Sequence, residues 1–285
     1  MSSAPRVSFI IPAKNESATI AAVVERVRTR YPDQEILVVD DGSDDQTGNI
    51  AAQAGVRVIQ HPTSLGNGAA VKAGARAAKG EIYVFLDADG QHDPADAERL
   101  LAELERGYDM AVGARSSSSH ANVARLMANG VYNLVASAVT GHLIPDLTSG
   151  YRAVKAHLFD KYLYLLPNGF SYPTTITMAL MRAGHPVKFV DIVARKRKGK
   201  SHINPIRDGL RFLIIIFKIA TLYAPLKLFL PTSILFFITG SSYYAYTFIT
   251  AGRFTNMTLL LLSAAVIIFL IGLISEQITS LNYKE

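Results

Sequence analysis

Between Arg6 and about Lys79 the chain alternates short apolar runs with helix-length segments of mixed polarity. VSFIIPA (7–13) is followed by a predicted helix from Ser17 to Arg30, EILVVDD (35–41) by one from Asp44 to Ala54, and VRVIQ (56–60) by one from Gly66 to Lys79. Two more pairs follow: EIYVFLDAD with a helix from about Pro94 to Arg106, and DMAVGAR with a helix from about Asn122 to Thr140. Strands separated by helix-length segments predict parallel βαβ units, and uninterrupted apolar runs suit strands covered on both faces. Residues 1–200 are therefore expected to form one α/β domain of nucleotide-binding layout.

After VKFVDIVARKRKGKSHINP the pattern changes. IRDGLRFLIIIFKIATLYAP, from Ile206, is apolar but punctuated by Arg207, Arg211 and Lys218, which predicts an amphipathic helix lying in a membrane interface over residues 201–225. Residues 226–249 and 257–278 are then each long enough to cross a bilayer core of about 30 Å at about 1.5 Å per residue. The connector TAGRFTN holds the single Arg253, whereas the flank before the first span is rich in Lys and Arg. The positive-inside bias predicts a multi-pass protein of the inner or plasma membrane, with both termini and the α/β domain on the cytoplasmic side.

Composition sharpens this picture in three places. A hydrophobic fraction of 49% over 285 residues is high for a purely soluble protein. The chain has no cysteine, which excludes disulfides, thiolate metal sites and a thiol nucleophile. The net charge of +6 is uneven, because ARKRKGK at 194–200 sets five basic residues in seven positions. Beside membrane segments such a cluster suits anionic lipid headgroups or phosphates better than nucleic acid. The opening MSSAPRVSFIIPAKNES lacks a charged region followed by a long apolar one, so no cleavable signal is expected.

Ligands of open α/β sheets bind at the carboxyl ends of the strands. Polar motifs stand at three such places: PAKNES after the first strand, DDGSDDQT after the second and DADGQHDP after the fourth. Their shared position points to one composite site. In DADGQHDP, Asp87, Asp89 and Gln91 alternate, and a turning backbone can aim such oxygen donors at one Mg²⁺ or Mn²⁺ that also binds substrate phosphates. The competing explanation for DDGSDDQT and for Pro12, Ala13, Asn15 and Glu16 is a capped strand-to-helix turn.

IIPAKNES, VVDDGSDDQT, SLGNGAAVKAGARAAKG, FLDADGQHDP, VGAR, PDLTSGYRAVKA and RKRKGKSH together resemble the inverting family 2 glycosyltransferases of the GT-A fold. Within that family they are similar to the polyprenyl-phosphate glycosyltransferases, among them dolichol-phosphate mannose synthases and bacterial undecaprenyl-phosphate sugar transferases. The resemblance implies a Rossmann-like, mainly parallel sheet followed by a two-helix membrane hairpin. It implies a nucleotide-sugar site at Pro12, Ala13, Asn15, Glu16, Asp41, Gly68, Lys72, Asp87 and Ala88, with Asp89 and Gln91 as ligands of Mg²⁺ or Mn²⁺. Arg115, Arg125, Arg152, Arg195, Arg197 and Ser201 become candidates for holding phosphate, those of the acceptor above all. Family members often carry Lys after that Ser, where this chain has His202.

Asp146, in PDLTSG, aligns with a residue often assigned as catalytic base, so Asp146, Asp89 and Arg115 are the expected catalytic residues. A phosphate monoester is mostly dianionic at neutral pH, which already limits what a base has to do. The implied reaction moves one sugar from a UDP- or GDP-sugar to polyprenyl phosphate at the cytosolic membrane face. Without tryptophan the chain lacks the Q-x-x-R-W motif of processive synthases, so transfer should stop after one sugar. Two rivals stand beside it: the same fold glycosylating a neutral lipid hydroxyl such as diacylglycerol, and a catalytically silent membrane partner. Small residues in the spans, Gly240, Ser241, Ser263, Ala264, Ala265 and Gly272, serve either a homo-oligomer, a tetramer by resemblance, or the hairpin itself.

Overall fold

A computed structural model describes residues 6–115, 130, 133–134, 136–137, 140–169, 171–193, 217, 221 and 223–282. The chain divides into two compact units, residues 1–134 with 143–208, and residues 135–142 with 209–285. The predicted helix at 122–140 and amphipathic helix at 201–225 fall largely outside the described residues.

In the first unit the order is β1 (Val7–Ala13), α1 (Ile20–Arg30), β2 (Glu35–Asp40), α2 (Thr47–Gln53), β3 (Arg57–Gln60), α3 (Asn67–Ala77), β4 (Ile82–Phe85), a 3-10 turn (Pro94–Asp96), α4 (Ala97–Glu105) and β5 (Met110–Arg115). There follow β6 (Arg152–Lys155), α5 (Ala156–Lys161), α6 (Tyr172–Arg182) and β7 (Val187–Ile192). The strands form one sheet in the order β3-β2-β1-β4-β6-β5-β7. β1 is buried at every position, as its apolar run requires of a central parallel strand.

One strand departs from the expected βαβ series. β6 lies between β4 and β5 and runs antiparallel to both, so β4 and β5 are not neighbours. The consequence is functional. β1, β2, β4 and β5 end at one edge of the sheet, and because β6 is reversed, the segment leading into it, PDLTSGY, arrives at that same edge.

The helices pack Val23, Val24 and Val27 of α1 and Leu100 and Leu104 of α4 onto Phe9, Ile11 and Val84 in a continuous core. Each fully buried side chain of this kind contributes roughly 1.5 to 3 kcal/mol relative to exposure.

In the second unit α7 (Pro225–Ala251) and α8 (Asn256–Asn282) each run 27 residues, or about 40 Å. They are long and apolar enough to cross a membrane, and most of their large apolar side chains, Leu235, Tyr246 and Leu260 among them, face outward. Between the helices Gly240 leaves no spare room against Leu261 and Leu262, nor Gly272 against Phe229. Ser233 Oγ donates to the Ala265 carbonyl at 2.8 Å. These small residues therefore serve the packing of the hairpin.

Candidate active site

The β1–α1 and β2–α2 turns are stitched together. Asn15 adopts φ 55°, a left-handed conformation that asparagine tolerates better than most residues. Its amide N–H donates to Ser43 Oγ at 3.0 Å, and its Oδ1 accepts from Asp44 N at 2.8 Å. Glu16 N donates to Thr47 Oγ1 at 2.8 Å. Pro12, Ala13 and Ala88 are buried, so they offer a ligand only backbone.

Asp41 is almost wholly engaged with its own chain. Oδ1 accepts from Leu65 N at 2.9 Å and lies 2.8 Å from His61 Nδ1, while Oδ2 accepts from Ser64 Oγ at 2.7 Å and Gly66 N at 2.9 Å. Burial would push its carboxyl up, but these bonds outweigh it and bring it down to about 2. Asp41 thus fixes the 61–66 loop that leads into α3.

Gly68 and Lys72 hold a different segment. A Cβ on Gly68 would lie 2.0 Å from the Pro167 carbonyl oxygen, so only glycine lets the 167–169 strip close over the start of α3. Lys72 Nζ donates to Leu166 O at 3.0 Å and Asn168 Oδ1 at 2.6 Å.

Asp87 and Asp89 follow the end of β4. Gly150, two residues before β6, abuts Asp87 so closely that a Cβ there would meet its Oδ2 at 2.7 Å. His92 Nε2 sits 3.7 Å from the same oxygen. Burial would raise the Asp87 carboxyl, yet His92, and after it the charges of Arg115 and Arg152, hold it below the usual range, so it stays an anion. Asp89 accepts from Gln91 N at 3.1 Å, and the Gln91 amide also donates to Asp89 Oδ2. Turning that amide over presents two hard oxygens side by side, a donor set that fits Mg²⁺ or Mn²⁺. Among the described residues no group of three or more His, Asp or Glu side chains is placed to hold a metal. Asp89 and Gln91 would therefore share the ion with water and phosphate oxygens.

Arg115 ends β5 and meets Asp146 in a two-point ion pair. Nε donates to Oδ2 at 2.7 Å and Nη2 to Oδ1 at 3.0 Å, with a third bond from Nη2 to Thr148 Oγ1 at 2.8 Å. Asp146 also accepts from Thr148 N and Oγ1, both at 3.1 Å. Asn133 brackets the turn, donating to Pro145 O at 2.5 Å and accepting from Leu147 N at 3.1 Å. Burial would raise the Asp146 carboxyl, but Arg115 outweighs it and keeps it below the usual carboxylate range.

The structure thus gathers Asp87, Asp89, Gln91, Arg115 and Asp146 at one sheet edge. Arg152 departs from the expectation of direct acceptor contact: it is fully buried, with its guanidinium on Pro173 O at 2.8 Å, Thr177 Oγ1 at 3.1 Å and Ser149 O. Arg125, Arg195, Arg197, Ser201 and His202 lie outside the described residues. Sequence reasoning missed Thr148 and Gly150, although the TSG step before a short apolar run marks a turn. Nor did it give a role to His92, the histidine that backs Asp87.

Comparison with known proteins places this geometry. The model of the glycosyl transferase family 2 matches residues 8–163, and that of the GtrB C-terminal hairpin matches residues 224–281. The chain is 31% identical to polyprenol monophosphomannose synthase of Mycolicibacterium smegmatis, over 68% of this chain and 78% of the relative. It is 30% identical to undecaprenyl-phosphate mannosyltransferase of Micrococcus luteus, over 72% and 94%. Glycosyltransferase AglJ of Haloferax volcanii matches at 29% over 98% of this chain and 95% of its own. Among solved structures, glucosyl-3-phosphoglycerate synthase of Mycobacterium tuberculosis, in complex with Mn²⁺, UDP and glucosyl-3-phosphoglycerate, shares the fold with a TM-score of 0.62 at 22% identity, over 76% and 79% of the two chains. The sheet-edge carboxylates, the matched domain and the C-terminal hairpin agree: the chain is a glycosyltransferase and belongs to glycosyl transferase family 2.

Proposed function

We propose that this enzyme transfers a single sugar, with inversion, from a UDP- or GDP-sugar to the phosphate of a polyprenyl phosphate at the cytosolic membrane face. The observation that carries the reading is the Arg115–Asp146 pair. A carboxylate held low and committed to an arginine is a poor proton acceptor, which suits an acceptor that arrives already ionised. Two relatives named for polyprenyl-phosphate mannosyl transfer, and a hairpin able to enter the bilayer where such acceptors reside, support it.

The chemistry then assigns roles to this chain's residues. Asp87 orients the donor sugar from the end of β4, and Asn15, Glu16 and the 61–66 loop border the nucleotide. Asp89 and Gln91 hold Mg²⁺ or Mn²⁺, which when bound offsets charge on the leaving diphosphate. Arg115, aimed by Asp146 and Thr148, adds a fixed cation beside that charge. An acceptor phosphate oxygen forms the new bond to the anomeric carbon from the face opposite the leaving group, and the nucleoside diphosphate departs with the bonding pair. Arg125, Arg195, Arg197 and Ser201 receive the acceptor phosphate in this scheme. Assembly as a homo-oligomer, a tetramer by resemblance, belongs to the same proposal.

The test offers purified protein in detergent, with Mn²⁺ or Mg²⁺, a panel of nucleotide sugars with and without undecaprenyl phosphate. Release of nucleoside diphosphate should require both lipid phosphate and metal and should vanish in Asp89→Ala. Release that ignores the lipid, or none with any donor, contradicts the proposal.

A further inference from the structure

Arg152 is the most unusual side chain of the first unit. It opens β6 with 0% of its surface exposed, so its guanidinium is shut off from bulk solvent. Its partners are neutral: Pro173 O, Thr177 Oγ1, Ser149 O and, at 4.0 Å, Met110 Sδ. Its Nε has no hydrogen-bond partner, and the ring of Tyr172 lies 5.8 Å from the guanidinium carbon. Among the described residues no carboxylate stands within ion-pair distance of it. Burying a cation without a paired anion costs several kcal/mol, and a tie among carbonyls and a hydroxyl needs no net charge.

The placement of this cation accounts for keeping it. Arg152 pairs across the sheet with Phe85, and two residues further on Asp87 stands against Gly150. Through Ser149 O it grips the turn that carries both Gly150 and the Asp146–Thr148 cradle of Arg115, and through Pro173 O it ties that turn to the first turn of α6. Asp87 and Asp146 are the two carboxylates whose charges act on it. Burial lowers its pKa, but a guanidinium starts so high that it keeps its proton under all ordinary conditions, so this is a permanent positive charge beneath the site. Asp87, Asp89 and Asp146 bring three negative charges to the strand ends, and Arg115 and Arg152 return two.

We propose that Arg152 is a positioning residue whose fixed buried charge sets the balance of the donor site, favouring the nucleoside diphosphate over a bare divalent cation. This deepens the proposed function and rests on its nucleotide-diphosphate donor. Without the charge, the site becomes one unit more negative, which repels the diphosphate and attracts Mn²⁺. A purely structural tie would weaken both ligands together.

The test uses full-length protein in detergent with Arg152→Gln, which keeps hydrogen-bonding capacity without charge, and Arg152→Lys, which keeps charge with fewer bonds. Mn²⁺ binding is read by electron paramagnetic resonance without nucleotide, and UDP and GDP binding by calorimetry at saturating Mn²⁺. Arg152→Gln should weaken the nucleoside diphosphate by about tenfold and tighten Mn²⁺ by severalfold, because removing one positive charge acts on an anion and on a cation with opposite sign. Arg152→Lys should keep the diphosphate affinity within about threefold of the parent, a difference below about 0.7 kcal/mol. Parallel weakening of both ligands in Arg152→Gln, or loss of diphosphate binding in a folded Arg152→Lys protein, would overturn the proposal. If Arg152→Gln does not fold, the lysine variant decides alone. Failure of the parent to bind either nucleoside diphosphate would instead reject the donor class.

Discussion

Arg115 and Asp146 face each other with two parallel hydrogen bonds, of 2.7 and 3.0 Å, at the mouth of the sheet. The two residues come from strand directions that oppose one another, Arg115 from the end of β5 and Asp146 from the approach to β6. Since each orients the other, their substitutions should not add. Asp146→Asn and Arg115→Lys are each expected to lower kcat by about a hundredfold, the usual scale for losing one preorganised charge contact. The double variant should lose little more, giving a coupling of about 2 to 3 kcal/mol in steady-state kinetics. Additive losses would show that the pair does not act as a unit.

Gly150 gives a sharper steric test. A methyl there would lie 2.7 Å from one Asp87 oxygen and 2.9 Å from the other. Gly150→Ala should therefore displace the carboxylate and raise the donor KM by about tenfold, or ~1.4 kcal/mol. Gly141, which has nothing within 4 Å of its Cβ position but sits at φ 77°, is a poor control; Gly169, with open space and no such backbone demand, is the right one. Gly169→Ala should leave KM near the parent value.

Asp41 makes a prediction about stability with its sign fixed by chemistry. Its carboxyl titrates at about 2 in the folded chain against an ordinary 3.8. A depressed acid stabilises the fold fully above its unfolded value and loses that contribution as pH falls through its folded value. The contribution, about 2 kcal/mol, should fade between about pH 4 and pH 2. Asp41→Asn, which turns an amide N–H₂ toward donors already present, should cost about 2 to 3 kcal/mol at neutral pH. It should also flatten that acid limb in thermal unfolding of the detergent-solubilised protein. An unchanged midpoint would mean that the 61–66 loop does not depend on this anchor.

Removal of the divalent ion should stop nucleoside diphosphate release while leaving the thermal midpoint of the domain nearly unchanged. The carboxylates at the site are already paired within the protein, Asp146 by Arg115 and Asp89 by Gln91. A chelator titration followed by both activity and unfolding checks this. A large loss of stability on chelation would make the ion structural.

Much of the scaffold can be read directly along the chain. VSFIIPA is β1 residue for residue, because a central parallel strand is a continuous apolar run. The α1 and α3 helices begin three residues and one residue later than predicted, since the polar residues before them serve turns rather than helix. The carboxylate motifs could be located because parallel strands deliver their C-terminal ends to one edge. β6 was hidden by its shortness: RAVK is four residues, opens with an arginine and shows no two-residue alternation. Its reversal could not be foreseen from local pattern, and with it went the places of Gly150 and Thr148. Arg152 misleads for the same reason, since arginine is almost never fully buried and reads as a surface phosphate ligand. The grip of Gly68 and Lys72 on the 166–169 segment joins residues about a hundred positions apart, beyond the reach of any local signal.

The most direct measurement of the central claim, that the acceptor is a phosphate needing no base, is the pH dependence of kcat/KM for the lipid in the parent and in Asp146→Asn. A phosphate acceptor ionises with a pKa of about 6, so the parent should show an acid limb there. The variant should keep that limb at the same pH with a uniformly lower rate. If the parent shows no limb near pH 6 and Asp146→Asn abolishes transfer, Asp146 is a true general base and the acceptor is a neutral hydroxyl, contrary to this account.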